Sequence, residues 1–214
     1  MQKSFWGPST WFMIHSIATG YRPESKFSVK QFFNSLPTLL PCEFCRNNLI
    51  GEYAKLPPLD SALSNSTDLF SWTYSLHDMV NKKLMKKASP SFASIESYYV
   101  SQHGNNNYWG PAFWRVIHSF SATYKPSPKA RQAYIQFIHS LIGITPCSVC
   151  RDNFEQALKQ IPLTEEYLQD GNRLFLWSFL LHDLINKKLG KHSPSFESIK
   201  KEYFNDKVCG NCGN

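Results

Sequence analysis

The sequence predicts an all-α protein of two tandem four-helix bundles, each carrying a short fifth helix, and two observations predict it. Apolar residues recur three and four positions apart and nowhere alternate for long, which excludes an appreciable sheet. The chain also contains itself twice. Trp6-Gly7-Pro8, Trp11, His15 and Tyr21 return as Trp109-Gly110-Pro111, Trp114, His118 and Tyr124. Trp72, His77-Asp78 and Asn81-Lys82-Lys83-Leu84 return as Trp177, His182-Asp183 and Asn186-Lys187-Lys188-Leu189. Ser89-Pro90-Ser91-Phe92 returns as Ser193-Pro194-Ser195-Phe196. A repeat this long means two copies of one domain, not a solenoid of short units.

In the first copy, Trp11, Ile14, His15 and Ala18 mark a helix over 8–19, with Gly7 and Pro8 at its start. Ser28-Val29-Lys30-Gln31 has the form of a capping box and opens a second helix carrying Phe32, Phe33 and Leu36, which Pro37 and Pro41 close. Ser127 and Pro128 make the matching start in the second copy. A third helix follows Pro41-Cys42-Glu43-Phe44-Cys45-Arg46 and ends at Pro57-Pro58. The fourth spans 67–85, with Leu69, Trp72, Leu76, Val80 and Leu84 on one face, and a short fifth covers 92–100. The second copy repeats all five, so the domains are 1–100 and 108–204, joined by a polar linker over 101–107 and followed by a glycine-containing tail over 205–214. Domains of about 100 residues bury modest cores, so the two are expected to pack together as an intramolecular pseudo-dimer.

The chain of 214 residues is rich enough in core-forming side chains to exclude a disordered protein. Its net charge of +7 raises nucleic acid or a membrane as partners. The lysines concentrate in Lys82-Lys83, Lys86-Lys87, Lys187-Lys188 and Lys200-Lys201, mostly at predicted helix ends where cations complement the dipole, and neither partner is expected. No apolar run reaches the ~20 residues of a membrane span, and no secretory signal is expected at the N-terminus.

All six cysteines lie in C-x-x-C pairs: Cys42/Cys45, Cys147/Cys150 and Cys209/Cys212. A disulfide framework would close long loops, so redox chemistry or metal binding remains. A four-thiolate zinc site from Cys42, Cys45, Cys147 and Cys150 is the structural alternative, and the surrounding tryptophans and histidines argue against it. No metal is expected. At a helix start, amide N–H groups and the dipole favour thiolates, which suits both proline-preceded pairs to disulfide exchange. Cys209/Cys212, in the tail, is suited to carrying electrons to a buried pair.

Trp-Gly-Pro-x-x-Trp-x-x-x-His, Pro-Cys-x-x-Cys and His-Asp-x-x-Asn-Lys-Lys-Leu, in that order and twice, resemble the Erv/ALR flavin-linked sulfhydryl oxidases. The resemblance implies a helical bundle holding FAD beside the C-x-x-C. Cys45 and Cys150 would be the flavin-proximal sulfurs, and Cys42 and Cys147 those that exchange with incoming thiols. Trp6, Gly7, Trp11 and His15, with Trp109, Gly110, Trp114 and His118, match the first flavin motif. His77, Asn81, Lys83 and Leu84, with His182, Asn186, Lys188 and Leu189, match the second. His77, Asn81 and Met85 are also four apart, which places a ring and polar groups on one helical face; Trp72 and Trp177 divide evenly between core and site.

The implied reaction oxidises protein dithiols, or a thioredoxin-like carrier, and passes two electrons through FAD to molecular oxygen, giving hydrogen peroxide. One departure is the absence of a cysteine for the family's additional structural disulfide after the fourth helix. Another is Asn48-Leu49 and Asn153-Phe154 in place of the family's usual His-Phe. Family members usually work as homodimers, and the duplication is expected to stand in for one within the chain, with a homodimer of chains as the alternative. The alternative reading makes one copy a flavin-free scaffold or substrate-binding module. The resemblance places the protein in the cytoplasm, in a host cell or virion if viral, with the mitochondrial intermembrane space as the alternative.

Overall fold

The computed structural model describes residues 1–86 and 89–205, and among them there is no strand. The helices are α1 (Lys3–Thr19), α2 (Lys26–Leu39), α3 (Glu43–Tyr53), α4 (Ser66–Lys83), α5 (Phe92–Gln102), α6 (Asn106–Ala122), α7 (Pro128–Ile144), α8 (Ser148–Gln160), α9 (Gly171–Lys188) and α10 (Phe196–Tyr203). The order of α1–α5 is repeated by α6–α10. Cys209 and Cys212 lie outside the described residues.

Within the first repeat α1 packs on α4 and α5, and α3 on α2 and α4; in the second, α6 packs on α9 and α10, and α8 on α7 and α9. The most extensive helix pairings join the repeats: α2 lies on α7 and α1 on α6. Ser28, near the start of α2, faces Gly143, near the end of α7, so this pair runs antiparallel. Phe32 and Phe137 meet across it with centroids 6.1 Å apart. One continuous buried core contains residues of both repeats.

Several helix ends depart from the sequence expectation, each for a local reason. Helix α1 begins at Lys3, not at Gly7-Pro8, because its extra turn is held by tertiary packing. Trp6 is buried with its indole N–H on the Met1 carbonyl at 3.4 Å, and Phe5 meets the Tyr203 ring edge-on at 5.1 Å. Pro8 then costs only its own backbone hydrogen bond. Ser28 is not a cap. A 3-10 turn, Pro23–Ser25, starts the chain into α2 two residues earlier, with the Ser25 hydroxyl donating to the Arg22 carbonyl at 2.7 Å.

Pro37 lies inside α2 instead of closing it. It removes the N–H that would bond the Phe33 carbonyl, and the Tyr53 hydroxyl donates to that carbonyl at 3.2 Å. Tyr53→Phe is therefore expected to cost about 1–2 kcal/mol, because it orphans the carbonyl. A denaturation midpoint equal to wild type would mean that another donor takes the place of Tyr53.

The expected linker is mostly helical. Ser101 and Gln102 finish α5, and Asn105 caps α6 by accepting from the Asn107 N–H at 3.1 Å, leaving 103–105 between the helices. Ser127 does cap α7, accepting from the Ala130 N–H at 3.0 Å with Pro128 in the first turn. Met85 falls beyond α4 in a left-handed conformation and is 92% exposed, so it does not share a face with His77 and Asn81. Trp72 and Trp177 are core residues, their indole N–H groups donating to the carbonyls of Pro57 and Ile161.

Candidate active site

Each C-x-x-C pair opens a helix. Cys42 and Cys147 occupy the N-caps of α3 and α8, and their sulfurs accept from the backbone N–H of Cys45 and Cys150. The arginine that ends each motif fastens the preceding turn: Arg46 donates to the Leu40 carbonyl at 2.7 Å and Arg151 to that of Thr145 at 2.8 Å. Cys147 and Cys150 form a disulfide, whereas Cys42 and Cys45 are thiols. Helix-start activation does not govern Cys45. Burial, the hydrogen bond with Cys42 and the adjacent thiol push it up to about 12, against the opposing pull of Lys3 and Arg46.

Cys45 lies on the wall of a cavity of about 730 Å³ in the first repeat. Trp6, Gly7, Trp11, His77, Lys83 and Leu84 share that wall, so seven residues read from motifs far apart in sequence meet in one chamber. His15 and Asn81 do not line it. The Trp11 and His77 rings stack 3.9 Å apart at 3°, and in the second repeat Trp114 and His182 stack 4.0 Å apart at 7°.

Behind each stack is a second histidine. His15 Nε2 is 3.0 Å from His77 Nδ1, and His118 Nε2 is 3.0 Å from His182 Nδ1. Their other ring nitrogens meet hydroxyls, Thr73 Oγ1 at 3.2 Å and Ser178 Oγ at 2.9 Å. Burial lowers all four histidines. His15 falls to about 3 with help from His77, and His77 to about 4 with help from Lys86. His182 falls to about 4, with Asp183 opposing and Lys191 helping, and His118 lies well below its ordinary value, helped by His182 and Arg115. The rings are neutral near pH 7.

The motif asparagines are held from one side. Asn81 Nδ2 donates to Ser89 Oγ at 3.2 Å and Asn186 Nδ2 to Ser193 Oγ at 3.0 Å, while Asn81 Oδ1 is buried without a partner. The two repeats differ on the cavity side of the cysteine helix. Glu52, 2% exposed, accepts from Lys55 at 3.1 Å and Lys83 at 3.3 Å. Burial opposes its ionisation, but the two ammonium groups outweigh it and hold the carboxyl below its ordinary value. The matching position of the second repeat is Ala157, and Phe154 stands for Leu49, packing 6.3 Å from Trp114.

Glu52 and Tyr99 on the cavity wall, Thr73, Ser178 and Tyr203 were not anticipated as site residues. Tyr99 packs 5.1 Å from His15 and Tyr203 5.5 Å from His118. A tyrosine at the end of each fifth helix was the available signal. Among the described residues no group of three or more histidines, cysteines or carboxylates is placed to hold a metal, and no helix is long and apolar enough to cross a membrane.

The model of the Erv1 / Alr family matches residues 8–99 and again 111–205. The chain belongs to the Erv1/Alr family. It is 33% identical over 98 residues to an FAD-linked sulfhydryl oxidase of African swine fever virus, an alignment covering 45% of this chain and 80% of the viral protein. A protein of Acanthamoeba polyphaga mimivirus named as a probable FAD-linked sulfhydryl oxidase is 36% identical over 101 residues, covering 45% of this chain and 71% of that one. The mitochondrial FAD-linked sulfhydryl oxidase of Saccharomyces cerevisiae is 30% identical over 84 residues, covering 37% and 43%. No solved structure matches.

Proposed function

We propose that this Erv1/Alr chain is a flavin-linked thiol oxidase that forms disulfides in protein substrates and delivers the electrons to oxygen, giving hydrogen peroxide. The observation that carries this reading is Cys45 on the wall of the chamber that also holds Trp11, His77 and Lys83. The chamber suits FAD. Its volume is that of a cofactor pocket, aromatic rings line it, and Lys83 and Lys86 supply cations for a pyrophosphate. When bound, FAD supplies two-electron chemistry that joins dithiol oxidation to reduction of oxygen.

The chain's own part is thiol–disulfide exchange. A substrate thiolate attacks one sulfur of Cys209–Cys212, and the second substrate thiol closes the substrate disulfide and leaves that pair as dithiol. The tail dithiol then reduces Cys42–Cys45 or Cys147–Cys150 in the same way, with Cys42 and Cys147 as exchanging sulfurs and Cys45 and Cys150 next to the cofactor. Trp6, Gly7, Trp11, His77, Lys83 and Leu84, and Trp109, Gly110, Trp114, His182, Asn186, Lys188 and Leu189, hold the cofactor in their respective repeats, and His15 and His118 support His77 and His182 from behind. Residues 1–100 and 108–204 act as two oxidase domains paired within the chain, which the α2–α7 and α1–α6 pairings support. The viral relatives favour a host cytoplasm or virion, where a dedicated catalyst is needed to make disulfides.

A second reading, one flavin-bearing and one scaffold repeat, draws on Ala157 and Phe154 standing where Glu52 and Leu49 line the chamber. Flavin and zinc content per chain tests both: two FAD support paired sites, one supports the scaffold, and a colourless zinc protein sinks the oxidase. Cys45→Ser combined with Cys150→Ser is expected to lower oxygen consumption with dithiothreitol by about 100-fold or more. Cys209→Ser with Cys212→Ser should spare dithiothreitol oxidation and suppress that of a reduced protein, and equal loss on both substrates would remove the shuttle.

A further inference from the structure

The Thr73 hydroxyl donates to the Phe70 carbonyl at 2.9 Å, and Ser178 donates to that of Phe175 at 2.8 Å. A hydroxyl has one proton, so each oxygen meets its histidine as an acceptor. His15 and His118 must then carry their protons on Nδ1, and their bare Nε2 atoms accept from Nδ1–H of His77 and His182. Both outer rings are neutral, which leaves a bare Nε2 on each. The His77 ring lines the chamber.

We propose that Thr73 and Ser178 are positioning residues: each ends a hydroxyl–histidine–histidine relay that holds the tryptophan-stacked histidine as its Nδ1–H tautomer, so that Nε2 of His77 and His182 accepts an N–H of the bound cofactor. Two features of the molecule support a built device over incidental packing. The relay is assembled twice, from residues on α1 and α4 and again on α6 and α9. Its terminus is a hydroxyl in both, although one is threonine and the other serine, on helix faces otherwise occupied by Leu69 and Leu76 or Leu174 and Leu181.

The inference rests on the FAD reading. Nitrogen NMR of ring-labelled full-length protein at pH 7 should show His77 and His182 as Nδ1–H tautomers whose Nε2 signals move on FAD addition. Thr73→Val with Ser178→Ala should mix the tautomers and weaken FAD binding about tenfold, the range of one hydrogen bond, whereas Thr73→Ser should behave as wild type. Two analogues identify the donor. Weaker binding of 3-methyl-FAD points to the isoalloxazine N3–H, and weaker binding of flavin hypoxanthine dinucleotide points to the adenine amino group; either supports the relay. Nε2–H tautomers, Nε2 signals unmoved by FAD, or wild-type affinity in the Val/Ala variant would overturn it while leaving the oxidase intact. Wild-type protein that takes up no flavin overturns both.

Discussion

Lowering the pH from 7 to 5 is expected to remove on the order of 4 kcal/mol of stability, well before any carboxylate of ordinary affinity titrates. His15, His77 and His182 have folded-state values near 3 to 4, and His118 is also held well below the ordinary 6.5. The unfolded chain therefore binds protons first as pH falls. Stability is full above about pH 6.5 and declines toward pH 4, by up to about 1.4 kcal/mol per pH unit for each independent site. The four rings form two coupled pairs, and counting each pair as one site gives the figure above. Chemical denaturation from pH 7.5 to 4.5 measures it directly. A decline that begins only below about pH 4.5 would trace to carboxylates held low by lysines, such as Glu52 and Asp78, and would show that the histidines stay solvated. Replacing all four of His15, His77, His118 and His182 by glutamine should flatten the upper part of the curve.

What could be read beforehand divides by the range of the interaction. Helices come from periodicity, which is local, and the ten were legible along with the repeat. The helix starts at Lys3 and Lys26 were not, because Phe5 against Tyr203 and the turn at Pro23 override the proline and capping rules. The chamber's motif residues were legible because they occur twice. Glu52 was not, since its partner Lys83 lies on another helix and the second repeat has no counterpart. Thr73 and Ser178 did leave a trace: a hydroxyl one helical turn before each motif histidine, on an otherwise apolar stripe. Such a residue either disturbs the core or satisfies a buried partner, and here the partner is His15 or His118.

Gly143→Leu is expected to cost at least about 3 kcal/mol, at the upper end of overpacking, and to act on both repeats at once. A β-carbon at Gly143 would fall on Oγ and Cβ of Ser28. The hydroxyl can rotate away, but Cβ is fixed by the α2 backbone, so the helices must separate where Phe32 and Phe137 meet. Alanine isolates the clash, because its helix preference over glycine, about 1 kcal/mol, works in its favour. A net loss of about 2 kcal/mol in Gly143→Ala would therefore be steric. Ser28→Gly removes the obstructing atoms. It should weaken α2 slightly by itself and recover at least about 1 kcal/mol when combined with Gly143→Ala, a coupling that only residues in contact produce. Additive losses would mean that α2 and α7 do not press together at this point in solution, and the pairing of the two repeats would then have to rest on α1 and α6.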